Sequence, residues 1–352
     1  MTPVPLHLPL RLPDAAELAS LIFEHAERKP LTDELRNRLA ARAAVLRLET
    51  VSPCFGSLAR DPVHPSTYYL AADNAEGAPY LLHLALASAP TSSIFHKPLL
   101  IGRTRHPNGS EFVINAIPFG PADRDSIERF AARVDPSVLP RAQGARASVT
   151  VRGDYFRAFE FFRSLQKRRN RNLAAVAGDY HACLWAAIRA GFRQEYSLAA
   201  EFPADRAGEA PRQTLAYTRF AIDVSSLPAG DDALKAAAHA HEQIRQARAL
   251  LKSSSTFEFE VVMGPVSAAE FAAALESLKQ CGHPPQFART ASAADPAALA
   301  EAARLHKVTL SFDYAGESAA VVEARARAAA GRLNYYAATA AEAEILTEWI
   351  LA

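Results

Sequence analysis

Several short apolar runs of the chain carry their polar residues on one side only. Residues in an extended strand alternate between two faces. In 257–263, Phe257, Phe259 and Val261 share one face, and Glu258, Glu260 and Val262 the other. The same parity sets Glu201 with Ser197 and Ala199, Asp223 with Ala221, and Asp313 with Thr309 and Ser311. Ser148, Thr150 and Arg152 form one face of a fifth run, and Asn334 and Tyr336 one face of a sixth. Carboxylates that converge can move protons or polarise a carbonyl through a divalent ion. Bare anions cannot share a dry chamber, because desolvation costs several kcal/mol per ion. They need cations, shared protons or a metal. Arg152 and Arg289 supply part of that charge, and Mg or Mn, which favour oxygen ligands, would supply the rest. The plainer alternative is an Arg–Glu–Asp network that only holds the structure together.

Something must bring these runs to a common axis. From Ala147 onward, strand-like runs alternate with helix-like ones. The expected strands are Ser148–Arg152, Leu173–Ala177, Ser197–Phe202, Arg219–Val224, Phe257–Met263, Gln286–Thr290, Thr309–Tyr314 and Asn334–Ala338. Helices such as Ala233–Leu251, Ala268–Gln280 and Ala319–Ala330 separate them, with a weaker link near Pro211–Ala216. Such alternation implies a parallel sheet with helical crossovers. Eight units in roughly 200 residues imply a closed (β/α)8 TIM-type barrel. An open doubly wound sheet is the main alternative. It would normally carry a glycine-rich loop after its first strand, where this chain reads Val151-Arg152-Gly153-Asp154-Tyr155.

Residues 1–146 are expected to form a separate α+β subdomain, and 147–352 the barrel. The first part is proline-rich and irregular, with a helix near Leu31–Leu48 and strands near Tyr68–Leu70 and Tyr80–Leu84. A hairpin is expected across His106-Pro107-Asn108-Gly109, and a helix near Asp123–Val134. This part is expected to cap the barrel or to make a homo-oligomer contact.

Composition narrows the function. The chain has 352 residues, 49% of them hydrophobic and 22% charged, which excludes general disorder. Lys and Arg total 39 against 38 Asp and Glu, for a net charge of +1, so no nucleic-acid or anionic-membrane partner is expected. No segment approaches the roughly 18 apolar residues of a membrane span. The start of the chain lacks the apolar core of a signal peptide, and Cys54, Cys183 and Cys281 form neither a disulfide framework nor a CxxC site. A cytoplasmic protein with a small-molecule partner is the expectation.

The order of several motifs resembles the tagaturonate/fructuronate epimerases, metal-dependent barrel enzymes acting on keto-hexuronates. Phe220-Ala221-Ile222-Asp223 is similar to the family's Phe-Thr-Ile-Asp, and Thr256-Phe257-Glu258 to its Thr-Phe-Glu. Residues 163–191, with the basic Lys167-Arg168-Arg169, resemble its basic segment and following helix, and Glu195–Glu201 a strand where it carries Asp and His. Leu310–Gly316 lies where the family has Leu-Ser-His-Ser-Gly-Ser, and Arg332–Thr339 where it has Phe-His-Val-Lys-Thr-Ala-Gly-Thr. The family's histidines correspond to Phe202, Phe312 or Asp313, and Asn334, and its lysine to Tyr336. The resemblance implies a carbohydrate isomerase or epimerase acting on a sugar acid. Glu201, Glu258, Asp313 and Asn334 would hold a divalent ion, and Arg152, Arg289 and Tyr336 the substrate. Asp223 or Glu260 would move the proton.

His181, at the start of a helix after the second barrel strand, is a further proton-transfer candidate. Lys167, Arg168, Arg169 and Arg171 read as an anion clamp or a solvated helix end. His239 and His241, two apart on a helix, read as a solvated face. Two rival functions stand beside the epimerase: a non-catalytic sugar-acid-binding or regulatory protein, and a hydrolase or lyase using paired carboxyl groups.

Overall fold

A computed structural model describes residues 10–88, 95, 98–106, 108–120, 123–144, 146–166, 174–206, 217–227, 230–250, 256–290 and 295–351. Two compact units emerge: residues up to 139 together with 184–193, and residues 140–183 together with 194–352.

The first unit holds helices α1 (Leu12–Ala26), α2 (Asp33–Ala43) and α3 (Arg124–Arg129). Its strands are β1 (Val51–Pro53), β2 (Ala59–Arg60), β3 (Thr67–Asn74), β4 (Pro79–Leu86), β5 (Leu99–Arg105) and β6 (Glu111–Pro118). They form an antiparallel sheet in the order β1-β3-β4-β6-β5, with β2 on β3. The β5–β6 hairpin falls where the Asn-Gly turn places it. Helix α1 is a correction, since the proline-rich start reads as irregular. Pro13 lies in the first turn, where its missing N–H costs nothing. Leu18 and Ile22, one turn apart, join Leu70, Leu82 and Ile114 in a common apolar core.

The second unit alternates strands and helices, except that no α-helix lies among the described residues between its third and fourth strands. Its elements are β7 (Ser148–Arg152), α4 (Tyr155–Gln166), β8 (Ala174–Ala177), α5 (Tyr180–Ala190, of which residues 184–190 group with the first unit), β9 (Tyr196–Pro203), β10 (Arg219–Asp223), α6 (Asp231–Leu250) and β11 (Glu258–Met263). There follow α7 (Ala268–Gln280), β12 (Phe287–Thr290), α8 (Pro296–His306), β13 (Thr309–Asp313), α9 (Ala319–Ala328), β14 (Leu333–Ala337) and α10 (Ala340–Leu351). The eight strands β7–β14 are parallel and close on themselves, with β14 pairing β7. The fold is therefore a (β/α)8 barrel with an added antiparallel sheet. Each strand falls within a residue or two of its expected place. The stretch 211–216 and the basic cluster 167–171 lie outside the described residues.

The apolar parity set does what the alternation requires. Val149, Leu198, Phe220, Phe259, Val261 and Leu310 are all fully buried. Local signals set the helix boundaries. Ser267 and Glu270 form a reciprocal capping box that starts α7, and Asp295 accepts the first N–H groups of α8. His241 is buried, not solvated: its ring stacks on Phe259 at 4.4 Å. No helix among the described residues is long and apolar enough to cross a membrane.

Candidate active site

The polar parity set lines the barrel in two distinct tiers. Near the N-terminal ends of the strands, Glu258 pairs with Arg219 at 3.0 Å, and both side chains are almost wholly buried. Register explains the match, because Arg219 lies directly beside Glu258 in the β10–β11 ladder. The segment before β7 closes this end. Gln143 and Gly144 donate backbone N–H bonds to Glu258 Oε1 at 2.7 and 2.6 Å, and Ser197 donates to Oε2. Gln143 also spends its side-chain amide on the carbonyls of Ala174 and Glu195. The Arg219 guanidinium lies 3.6 Å from the Phe287 ring centre. Burial works against its charge, but Glu258 outweighs that and raises its pKa. Glu258 is thus the anchor of a closed floor.

Asn334 is internal as well, and its contacts are protein groups. Ser148 and Thr150 donate to its Oδ1 at 2.7 and 3.0 Å, and its amide donates to Ser311.

The other tier lies at the C-terminal ends of the strands, where barrel enzymes place their chemistry. Arg152 ends β7 and is turned by Gly153, whose φ of 147° lies in the region that favours glycine. A Cβ on neighbouring Gly178 would sit 2.4 Å from the Gly153 carbonyl oxygen, so these two loops meet backbone to backbone. Arg152 bonds Glu201 at 3.1 Å and also pairs with Asp313. Arg289 reaches the same Glu201 at 2.9 Å and approaches Asp313 at 3.6 Å. Both guanidinium groups lie over the Tyr336 ring, at 4.4 and 4.1 Å. Burial opposes the charge of Arg152, but Glu201 and Asp313 hold its pKa above the ordinary value. Burial also raises the pKa of Glu201, against the pull of Arg152.

Beneath this rim lies Glu260, 0% exposed. The Tyr336 hydroxyl donates to its Oε2. Its Oε1 is buried without a hydrogen-bond partner and stands 4.0 Å from Arg289 Nε, which is also unpartnered. Burial pushes the carboxyl up to about 7, against the opposing effects of Arg219 and the Tyr336 bond. The same burial, with Glu260 and Glu201 close by, raises the Tyr336 phenol well above its usual range. A carboxyl raised towards neutrality and hydrogen-bonded to a phenol whose ring two arginines overlie can exchange a proton with a bound molecule.

The structure therefore brings together Arg152, Arg289, Tyr336, Glu201, Asp313 and Glu260. It does not bring Glu258 or Asn334 to Glu201 and Asp313, so the four expected metal ligands share no centre. Glu201 and Asp313 are already claimed by arginines. Among the described residues, no group of three or more His, Cys, Asp and Glu side chains could hold a metal ion. The donor set does not fit Mg or Mn. The reason is cationic: Arg152, Arg219 and Arg289 neutralise the barrel acids. Asp223 ends β10, accepts the Ser225 N–H at 2.8 Å and acts on Glu201 through space. His181 stands in the first turn of α5, half-exposed, with its ring against Tyr180 at 4.9 Å. Arg219 is the residue that sequence reasoning missed. Its parity with Ala221 and Asp223 was the available signal.

No protein-family model and no curated protein matches this chain. Solved structures do. The glycerol-complexed crystal structure of fructuronate-tagaturonate epimerase UxaE from Cohnella laeviribosi matches with a TM-score of 0.57 at 15% identity, covering 87% of this chain and 74% of that one. The native crystal structure of the same enzyme matches with a TM-score of 0.56 at 14% identity, covering 87% and 75%. At that identity the likeness speaks for the fold alone.

Proposed function

We propose that the protein is an isomerase or epimerase of sugar acids that moves protons with its own side chains at the barrel mouth. One observation carries the reading: Glu260 is a fully buried carboxyl bonded to the Tyr336 phenol, with its other oxygen unpartnered 4.0 Å from Arg289, and burial pushes it up to about 7. A structural ion pair would favour the charged form. This environment keeps both forms in play, as proton transfer demands.

In the proposed reaction the substrate carboxylate exchanges with Glu201 or Asp313 on Arg152. Ionised Glu260 takes a proton from the carbon beside a keto group, and the electron pair moves onto the carbonyl oxygen. Arg289 stabilises the resulting enediolate, and the proton returns either from a rim group to the opposite face of that carbon, giving the epimer, or from Glu260 to the neighbouring carbon as the hydroxyl proton passes to the former carbonyl oxygen, giving the isomer. Tyr336 holds the carboxyl through Oε2. Asp223 and His181 are the rim groups available to serve a substrate hydroxyl.

The test incubates the full-length protein with keto-hexuronates in deuterated water and follows carbon-bound hydrogen exchange and epimer formation by NMR. Wild type should wash deuterium into the position beside the carbonyl. Glu260→Gln should lower that rate by about 10²–10⁴-fold. Wild type that catalyses neither exchange nor epimer formation overturns the reading.

A second reading has an observation of its own. Tyr336 is 2% exposed and Glu260 0%, so a ligand meets Arg152, Glu201 and Asp313 first. A protein that binds a sugar acid at this rim without turning it over would raise its melting temperature with ligand and release no product.

A further inference from the structure

A different cluster, within the first unit, has no part in the barrel chemistry. Arg36, Arg60 and Arg193 line one cavity of about 290 Å³, together with Leu31, Asp135 and Ser137. Three guanidinium groups meet one carboxylate there. Arg193 pairs with Asp135 at 2.7 Å and spends another N–H on the Gly56 carbonyl. Arg36 is 8% exposed and donates its Nε to the Leu58 carbonyl. Its acidic partner, Asp33, is 68% exposed, so water screens that charge. Arg60 is held by the carbonyls of Ala26 and Lys29 at 2.6 and 2.8 Å, and its Nε is buried without a hydrogen-bond partner. The lining therefore carries two cations more than it has anions.

Like charges held this close repel, and desolvation adds to the cost. The effect is visible at Arg36, whose pKa falls to about 10 through burial and the nearby Arg193 charge. A doubly charged oxyanion would satisfy the surplus and take fork-shaped hydrogen bonds from the guanidinium groups.

We propose that this cavity is a binding site for a phosphate group, either free phosphate or the phosphoryl end of a small metabolite. The site is built wholly from residues of the first unit and shares none with the barrel mouth.

The experiment is calorimetric titration of the full-length protein with inorganic phosphate and, separately, with glycerol 3-phosphate. Saturable binding at one site per chain is expected in wild type. Arg36→Met should weaken it at least about tenfold, the loss that one charge-assisted hydrogen bond brings. Leu31→Glu, at a half-buried position that lines the cavity and packs against the edge of the apolar core, sets a carboxylate beside the arginines and should weaken it similarly, with an unchanged circular dichroism spectrum showing that the fold is kept. Arg152→Met, at the barrel mouth, should leave binding unchanged. Tighter binding of glycerol 3-phosphate identifies a metabolite site, and equal or tighter binding of inorganic phosphate a free-phosphate site. No saturable binding by either probe overturns the proposal. So does binding that survives Leu31→Glu and disappears in Arg152→Met.

Discussion

The floor and the mouth of the barrel are built from the same residue types, and they behave differently. At the floor, Glu258 faces Arg219 and receives hydrogen bonds from Gln143, Gly144 and Ser197, so its charge is answered on every side. One layer away, Glu260 is held by the Tyr336 phenol, with the Ser311 hydroxyl also acting on it, and Oε1 has no partner within ordinary hydrogen-bond distance. At the rim, two arginines share two acids that water reaches. A saturated carboxylate is architecture. An under-satisfied one beneath the rim is available for chemistry.

Four measurements would break or sharpen this contrast. The largest effect is expected at the floor. Glu258→Ala strands the buried Arg219 charge, and chemical denaturation should show a loss of about 3–5 kcal/mol. A loss below about 1 kcal/mol would mean that the floor is not an anchor.

The second concerns pH. Glu260 is held at about 7 in the fold against an ordinary 4.5. A raised acid favours the folded state while both states are protonated, below about 4.5, and that advantage is gone once pH has risen through 7. The wild type should therefore lose roughly 3 kcal/mol relative to Glu260→Gln across that window. Parallel stability curves for the two proteins would place Glu260 among ordinary ion pairs.

The third is smaller. Tyr336→Phe removes the phenolic bond to Glu260 and should cost about 1–2 kcal/mol of stability. It should also move the Glu260 titration, followed by carboxyl NMR, upwards, since that bond lowers the pKa. A downward move or none would separate the phenol from the acid. The smallest effect belongs to the rim. Asp313 is 48% exposed, so Asp313→Asn should change stability by less than about 1 kcal/mol. A large loss there would erase the distinction between the tiers.

Much of this was legible in one dimension. Alternation of apolar and polar residues located all eight barrel strands, and the inward parity of Glu201, Glu260, Arg152 and Asp313 followed from it. The hairpin at Asn108-Gly109 followed from turn chemistry. Helix α1 was hidden because Pro13 reads as a breaker, although at the first turn it starts a helix. The buried state of His241 was hidden because its partner, Phe259, lies on a different element. The expected metal set failed for a related reason: Glu258 and Glu260 share a face, so parity cannot separate them, yet they lie in different layers.

What the chain alone determined was local: which residues are extended, which side of each strand is polar, and that several acids face inward. Those facts follow from the two-residue period of a strand and need no partner. Which acid is answered by which cation depended on strand register and ring closure, which set Arg219 beside Glu258 and brought Tyr336 from β14 onto Glu260 of β11. Electrostatic energy depends on distance and on access to water, and both are properties of the assembled barrel.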